Sequence, residues 1–137
     1  MSIDYTRIEK VKKVLITGDR TWTAKHIIMQ VLQYMKPKLV IQGGASGADR
    51  FAKECARQLG IACNEYVAHW EKYGRKAGPL RNREMITMEK PELVLAFHDN
   101  IEKSKGTRNM IMLANNRGVP VHLYRSSGEV SYNYTIL

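Results

Sequence analysis

Three short polar segments hold most of the residues in this chain whose types suit ligand chemistry. Gly18-Asp19-Arg20 follows the run Lys13-Val14-Leu15-Ile16-Thr17. Gly43-Gly44-Ala45-Ser46-Gly47-Ala48-Asp49-Arg50 follows Leu39-Val40-Ile41-Gln42. A longer stretch from His98 to Thr107 follows Leu93-Val94-Leu95-Ala96-Phe97. Glycine lets the backbone come close to a phosphate, and the free N–H groups at a helix start point towards it. A strand, a glycine-rich turn and a helix in succession therefore suit a phosphate-bearing small molecule, above all a nucleotide. For the Gly43–Asp49 loop alone, a tight turn with no ligand explains the residues equally well. The recurrence of such turns after three apolar runs favours binding.

Several other chemistries are excluded. A P-loop needs Gly-Lys-Ser/Thr after its glycines, but Gly47 is followed by Ala48-Asp49. The first turn reads Gly18-Asp19-Arg20-Thr21-Trp22, not GxGxxG, and no GxSxG or HExxH is present. Cys55 and Cys63 are too few and wrongly spaced for a metal site, so no metal and no cofactor are expected. Both read as small, reduced, buried hydrophobes. His26, His69 and His122 read as solvated or core histidines, while His98 stays open because it ends an apolar run. The net charge of +9 favours anionic partners, although the basic residues are dispersed and a solvated basic surface needs no ligand. No apolar run approaches the roughly 20 residues of a membrane span, and the N-terminus lacks a signal-type segment. A cytoplasmic protein without a membrane partner is the expectation.

The elements that must position these turns follow from the apolar pattern. The 137 residues are expected to form one domain, with a core over about 13–124 and a short tail over 125–137. Strands are expected at 13–17, 39–42, 61–67, 93–97 and 119–124. Helices are expected over about 24–35, with Thr23 as N-cap, and over 48–59, stopped by Gly60. The segment from His69 to Gly78 reads as a long loop, with Pro79 opening a third helix at its first position. Gly106-Thr107 starts a fourth helix. The tail either adds an edge strand or lies on the surface. Apolar strands alternating with helices predict an α/β fold: a mostly parallel five-stranded sheet with helices on both faces. In such sheets the ligand sits beyond the carboxyl ends of the strands, where all three polar turns fall.

The residues Val14–Arg20, Gly43–Arg50, Trp70, Tyr73-Gly74-Arg75 and Ala77-Gly78-Pro79-Leu80-Arg81-Asn82-Arg83-Glu84-Met85 resemble the YspA-type branch of the SLOG superfamily. That superfamily includes the Lonely Guy phosphoribohydrolases and the Smf/DprA DNA-processing proteins. The likeness runs in order from Val14 to Tyr124, and Ala77–Met85 is its most specific part. It implies a Rossmann-like domain, a nucleotide or nucleotide-derived ligand at the carboxyl edge of the sheet, and a homodimer of the Lonely Guy kind. The implied ligand contacts are Gly18, Asp19, Arg20, Gly43, Gly44, Ser46, Gly47, Asp49, Arg81, Asn82, Gly106 and Thr107. Among these, Gly43, Gly44, Ser46 and Gly47 would cradle phosphate, and Gly106 and Thr107 would form a second anion nest. Arg20 and Arg81 would reach phosphate or ribose, with Asn82 orienting a neighbour. Asp49 either caps the second helix or binds a ribose hydroxyl. Trp70 and Tyr73 either stack on a base or pin their loop to the core.

Lonely Guy enzymes carry PGGxGTxxE, whose Glu assists cleavage of the N-glycosidic bond. Here the Gly-Thr is present, Pro-Gly-Gly is absent and Met110 occupies the Glu position. Methionine can neither move a proton nor stabilise a cationic centre. The leading expectation is thus a nucleotide-binding protein acting as sensor, carrier or sequestering protein. A phosphoribohydrolase using Arg81 and an acid from Asp99 or Glu102 is the alternative. Single-stranded DNA binding in the manner of DprA ranks third, for want of an aromatic-interleaved basic stripe.

Overall fold

The computed structural model describes residues 3–136; Met1, Ser2 and the last residue of the tail, Leu137, lie outside them. Six strands form one sheet in the order β3-β2-β1-β4-β5-β6. They are β1 Lys13–Gly18, β2 Leu39–Gln42, β3 Ala62–Glu65, β4 Leu93–Phe97, β5 Val121–Tyr124 and β6 Val130–Ser131. The first five run parallel, and β6 lies antiparallel on β5 with Leu123 opposite Ser131. The tail therefore extends the sheet, giving six strands in place of five.

The period of two along each central strand divides the core between the two faces. Val14 and Ile16 of β1, Val40 of β2 and Leu93, Leu95 and Phe97 of β4 meet α1 (Lys25–Met35) and α2 (Ala48–Leu59). Leu15, Ile41, Val94, Ala96, Val121 and Leu123 meet α4 (Ala77–Glu89) and α5 (Lys105–Asn116) on the other face. Every residue of β4 is buried, as a central parallel strand covered on both sides requires. The Cys55 thiol is buried within α2, where desolvation raises its pKa to about 11.

Four local expectations need correction. Ala24, not Thr23, is the N-cap of α1 and makes no side-chain cap bond. The turn is held instead by the Trp22 indole donating to the Ala24 carbonyl (3.0 Å). Strand β3 covers only 62–65 and is mostly exposed, because its sole partner, β2, offers four residues for the ladder. The expected loop from His69 to Gly78 is helical: α3 (Trp70–Tyr73), then a 3-10 turn (Gly74–Lys76), then α4. Pro79 is the third residue of α4, not the first. It is tolerated there because N–H groups in the first turn have no intrahelical partner to lose.

Candidate functional site

In a 3-2-1-4-5 parallel order the direction of chain progression reverses between β1 and β4. The segments leaving these two strands diverge to opposite faces and open a crevice. A cleft of about 780 Å³ occupies this place. Its lining comes from the end of β1 and the turn after it, His98 after β4, the first half of α4, and the start of α5 with Lys103 and Ser104 before it. Eight of the expected contacts line it: Gly18, Asp19, Arg20, Asp49, Arg81, Asn82, Gly106 and Thr107. Gly43, Gly44 and Ser46 instead border a side depression of about 150 Å³, which shares Arg20, Ala45, Trp70 and Arg81 with the main cleft. Gly47 lines neither.

The glycine loop is tight for reasons internal to the protein. Gly47 has φ +72°, and a Cβ there would strike the backbone of Asp19 and Arg20. A Cβ on Gly18 would collide with the Phe97 carbonyl and the Ala48 side chain. These contacts bring the β1 and β2 turns and the start of α2 together, with the Ala48 N–H donating to the Asp19 carbonyl (3.1 Å).

The expected phosphate cradle is largely filled. The N–H groups of Gly43 and Ala45 both donate to Asp49 Oδ2 (3.2 Å each). The Gly44 N–H donates to Gln42 Oε1 (2.6 Å), and the Ser46 hydroxyl donates to the Arg20 carbonyl (3.0 Å). A carboxylate of the chain itself thus sits where a phosphate was expected, because α2 returns Asp49 to the loop that precedes it. Asp49 does not cap α2 with its side chain; its Oδ2 is the acceptor that organises the loop before the helix. Burial pushes its pKa up to about 6, against the opposing pull of the Ala45 N–H, Arg81, the Gly43 N–H and Arg20.

Arg81 lies half-buried across the floor. Its Nη1 donates to the carbonyls of Gly43 and Tyr66, and its Nε to Asn82 Oδ1 (3.0 Å). Asn82 in turn donates from Nδ2 to Asn109 Oδ1 (3.0 Å) and to the Gly106 carbonyl (3.3 Å). One belt of hydrogen bonds therefore ties the glycine loop to the start of α5. Desolvation lowers the Arg81 pKa, but a guanidinium remains charged.

At the other end, α5 begins at Lys105, with Ser104 as N-cap accepting from the Thr107 N–H (3.1 Å). Lys103 and Lys105 flank this helix start, and Arg75 and Arg20 face the cleft from the opposite rim. The Arg20 guanidinium lies 5.5 Å from the centre of the half-exposed Trp70 ring. The two candidate acids are elsewhere. Asp99 accepts from the Ser126 N–H (2.8 Å) and hydroxyl (2.6 Å), anchoring the β5–β6 turn. Glu102 pairs with Arg108 in solvent (3.2 Å). Neither lines the cleft, and Met110, on α5, is fully buried in the core.

Several lining residues did not stand out in the sequence. Arg75 falls in the locally basic stretch 72–83, and Lys103 and Lys105 in the stretch 103–108, where residue type alone does not separate them from solvated surface charge. His98 was visible only as the residue ending a strand. Its Nδ1 accepts the Asn100 N–H (2.9 Å), and its Nε2 lies 3.9 Å from Asp19 Oδ2.

The fold and the position of the cleft define a Rossmann-like domain with a polar, cation-rimmed crevice at its topological switch point. A family model described as the YspA, cpYpsA-related SLOG family matches residues 12–73. The chain is also 36% identical over 121 residues to the Gene 61 protein of Mycobacterium phage D29, an alignment covering 81% of this chain and 94% of that protein. The chain belongs to the YspA-type SLOG family. Among the described residues, no helix is long and apolar enough to cross a membrane.

Proposed function

We propose that this protein binds a nucleotide or nucleotide-derived ligand in the cleft between β1 and β4, acting in the cytoplasm as a sensor, carrier or sequestering protein. The observation that carries this reading is the start of α5. A helix N-terminus flanked by Lys103 and Lys105 opens into a cleft of about 780 Å³, a volume within the usual range for small-molecule sites. The phosphate sits at that helix start, within reach of Arg75 and Arg20 on the facing rim. Trp70 offers a ring face at the cleft mouth for a base, beside the Arg20 guanidinium. Arg81 and Asn82 hold the two sides of the cleft in register.

The test is calorimetric titration with AMP, ATP, NAD, ADP-ribose and cyclic mononucleotides, with the Lys103→Ala/Lys105→Ala double variant as control. One or more of these compounds should bind, and the double variant should weaken it about tenfold, as expected for losing charge-assisted contacts to phosphate. Failure of every compound to bind would contradict the proposal. A short single-stranded DNA belongs in the same series. Binding of DNA alone, falling steeply with salt, would favour the DNA-binding reading instead.

A further inference from the structure

The cleft is cationic except at one point. Asp19 and Asp49 are the two carboxylates among its lining residues, and Asp49 Oδ2 is committed to the glycine loop. Asp19 has one oxygen committed as well: Oδ1 accepts from the Thr21 N–H and the Thr21 hydroxyl (2.8 Å each). Its Oδ2 faces His98. Because the Asn100 N–H donates to His98 Nδ1, the imidazole in that bond carries its proton on Nε2 and presents a donor. Nε2 and Oδ2 are 3.9 Å apart, too far to bond directly. The pair is a fixed donor beside a fixed acceptor, one at the end of β4 and the other in the turn after β1.

We propose that Asp19 and His98 together recognise a ribose hydroxyl, so that the cleft takes ribonucleotides and discriminates against their deoxy counterparts. This rests on the nucleotide-binding reading above. A hydroxyl both accepts and donates one hydrogen bond, which matches the pair. An oxygen about 2.8 Å from both atoms closes a triangle across the 3.9 Å gap, accepting from Nε2 and donating to Oδ2. A phosphate oxygen cannot donate and is repelled by the carboxylate. A deoxy carbon leaves both groups without their ligand partner, at a cost that falls mainly on His98, which is only 7% exposed, while the Asp19 side chain is partly exposed.

The experiment measures the affinities of AMP and ATP beside their 2′-deoxy and 3′-deoxy forms, for the wild type and for Asp19→Asn. Asparagine can keep its carbonyl oxygen on Thr21 while replacing the Oδ2 acceptor with a donor. In the wild type, one of the two deoxy series should bind about 10- to 100-fold more weakly than the ribonucleotide. In Asp19→Asn that gap should shrink to about threefold or less. The wild-type protein gives a second readout: the His98 Nε2 resonance should shift with the ribonucleotide and not with the disfavoured deoxy form. Equal affinities for all three sugars, or a gap that persists in Asp19→Asn, would overturn the hydroxyl site and leave nucleotide binding standing. Binding of none of them would overturn nucleotide binding and this inference together.

Discussion

The turn after β2 and the start of α5 are both polar and both contain glycine, yet they are built differently. In the first, the chain supplies its own anion: Asp49 takes the N–H groups of Gly43 and Ala45, and Gln42 takes that of Gly44. In the second, Ser104 caps only the Thr107 N–H, and two lysines stand beside the helix start. A glycine-rich loop shows where backbone must pass close to something. Here the partner of the loop with more glycine is an internal carboxylate. The turn with less glycine and more charge is the one that faces the cleft.

Removing the internal anion should have the largest effect. Asp49→Ala leaves the buried Gly43 N–H and the part-buried Ala45 N–H unpaired and takes away the carboxylate beside Arg81, and should destabilise the fold by about 3 kcal/mol in urea melts. A loss below about 1 kcal/mol would mean that the loop does not depend on Asp49.

The same carboxylate sets a pH dependence whose sign follows from its raised pKa. The folded protein binds the Asp49 proton more tightly than the unfolded chain does. This contribution to stability is therefore complete below the unfolded value of 3.8 and is lost as pH rises through about 6. The wild type should lose stability relative to Asp49→Asn between pH 4 and pH 7, by up to about 3 kcal/mol. Paired denaturation curves at the two pH values check this, and a difference independent of pH would contradict it.

Smaller effects separate the two turns by ligand affinity. Lys105→Ala alone should weaken nucleotide binding about threefold to tenfold and leave the melting temperature within a degree or two, as for an exposed charge. Ser46→Ala should change affinity less than twofold, because its hydroxyl is already committed to the Arg20 carbonyl. The reverse ranking in titrations of the two variants would move the phosphate to the glycine loop.

Much of the fold was legible because buried parallel strands leave strong local marks. Lys13–Thr17, Leu39–Gln42 and Leu93–Phe97 are apolar runs closed by polar turns, and they form the centre of the sheet. The edges were less legible. Ile61–Val67 looked as long as a central strand, but pairing with β2 alone limits it to 62–65. The segment from Trp70 to Lys76 carries glycine and aromatics that suggest a loop, yet it is helical, with the Trp70 ring lying against Gly78 of α4. In the site, the turn positions were readable from residue type, whereas the partner of each N–H was not. Nothing local to Gly43-Gly44-Ala45 shows that Asp49 folds back onto them. His98 becomes notable only when β4 is laid beside β1, bringing it opposite Asp19.

The most direct test of a cleft whose phosphate end lies at α5 is a backbone amide titration with the tightest-binding nucleotide of the panel. Lys105, Gly106 and Thr107 should shift most, followed by Asp19 and Arg20, while Gly43, Gly44 and Ala45 move little. Large shifts confined to Gly43–Ala45, with the start of α5 unmoved, would contradict the account.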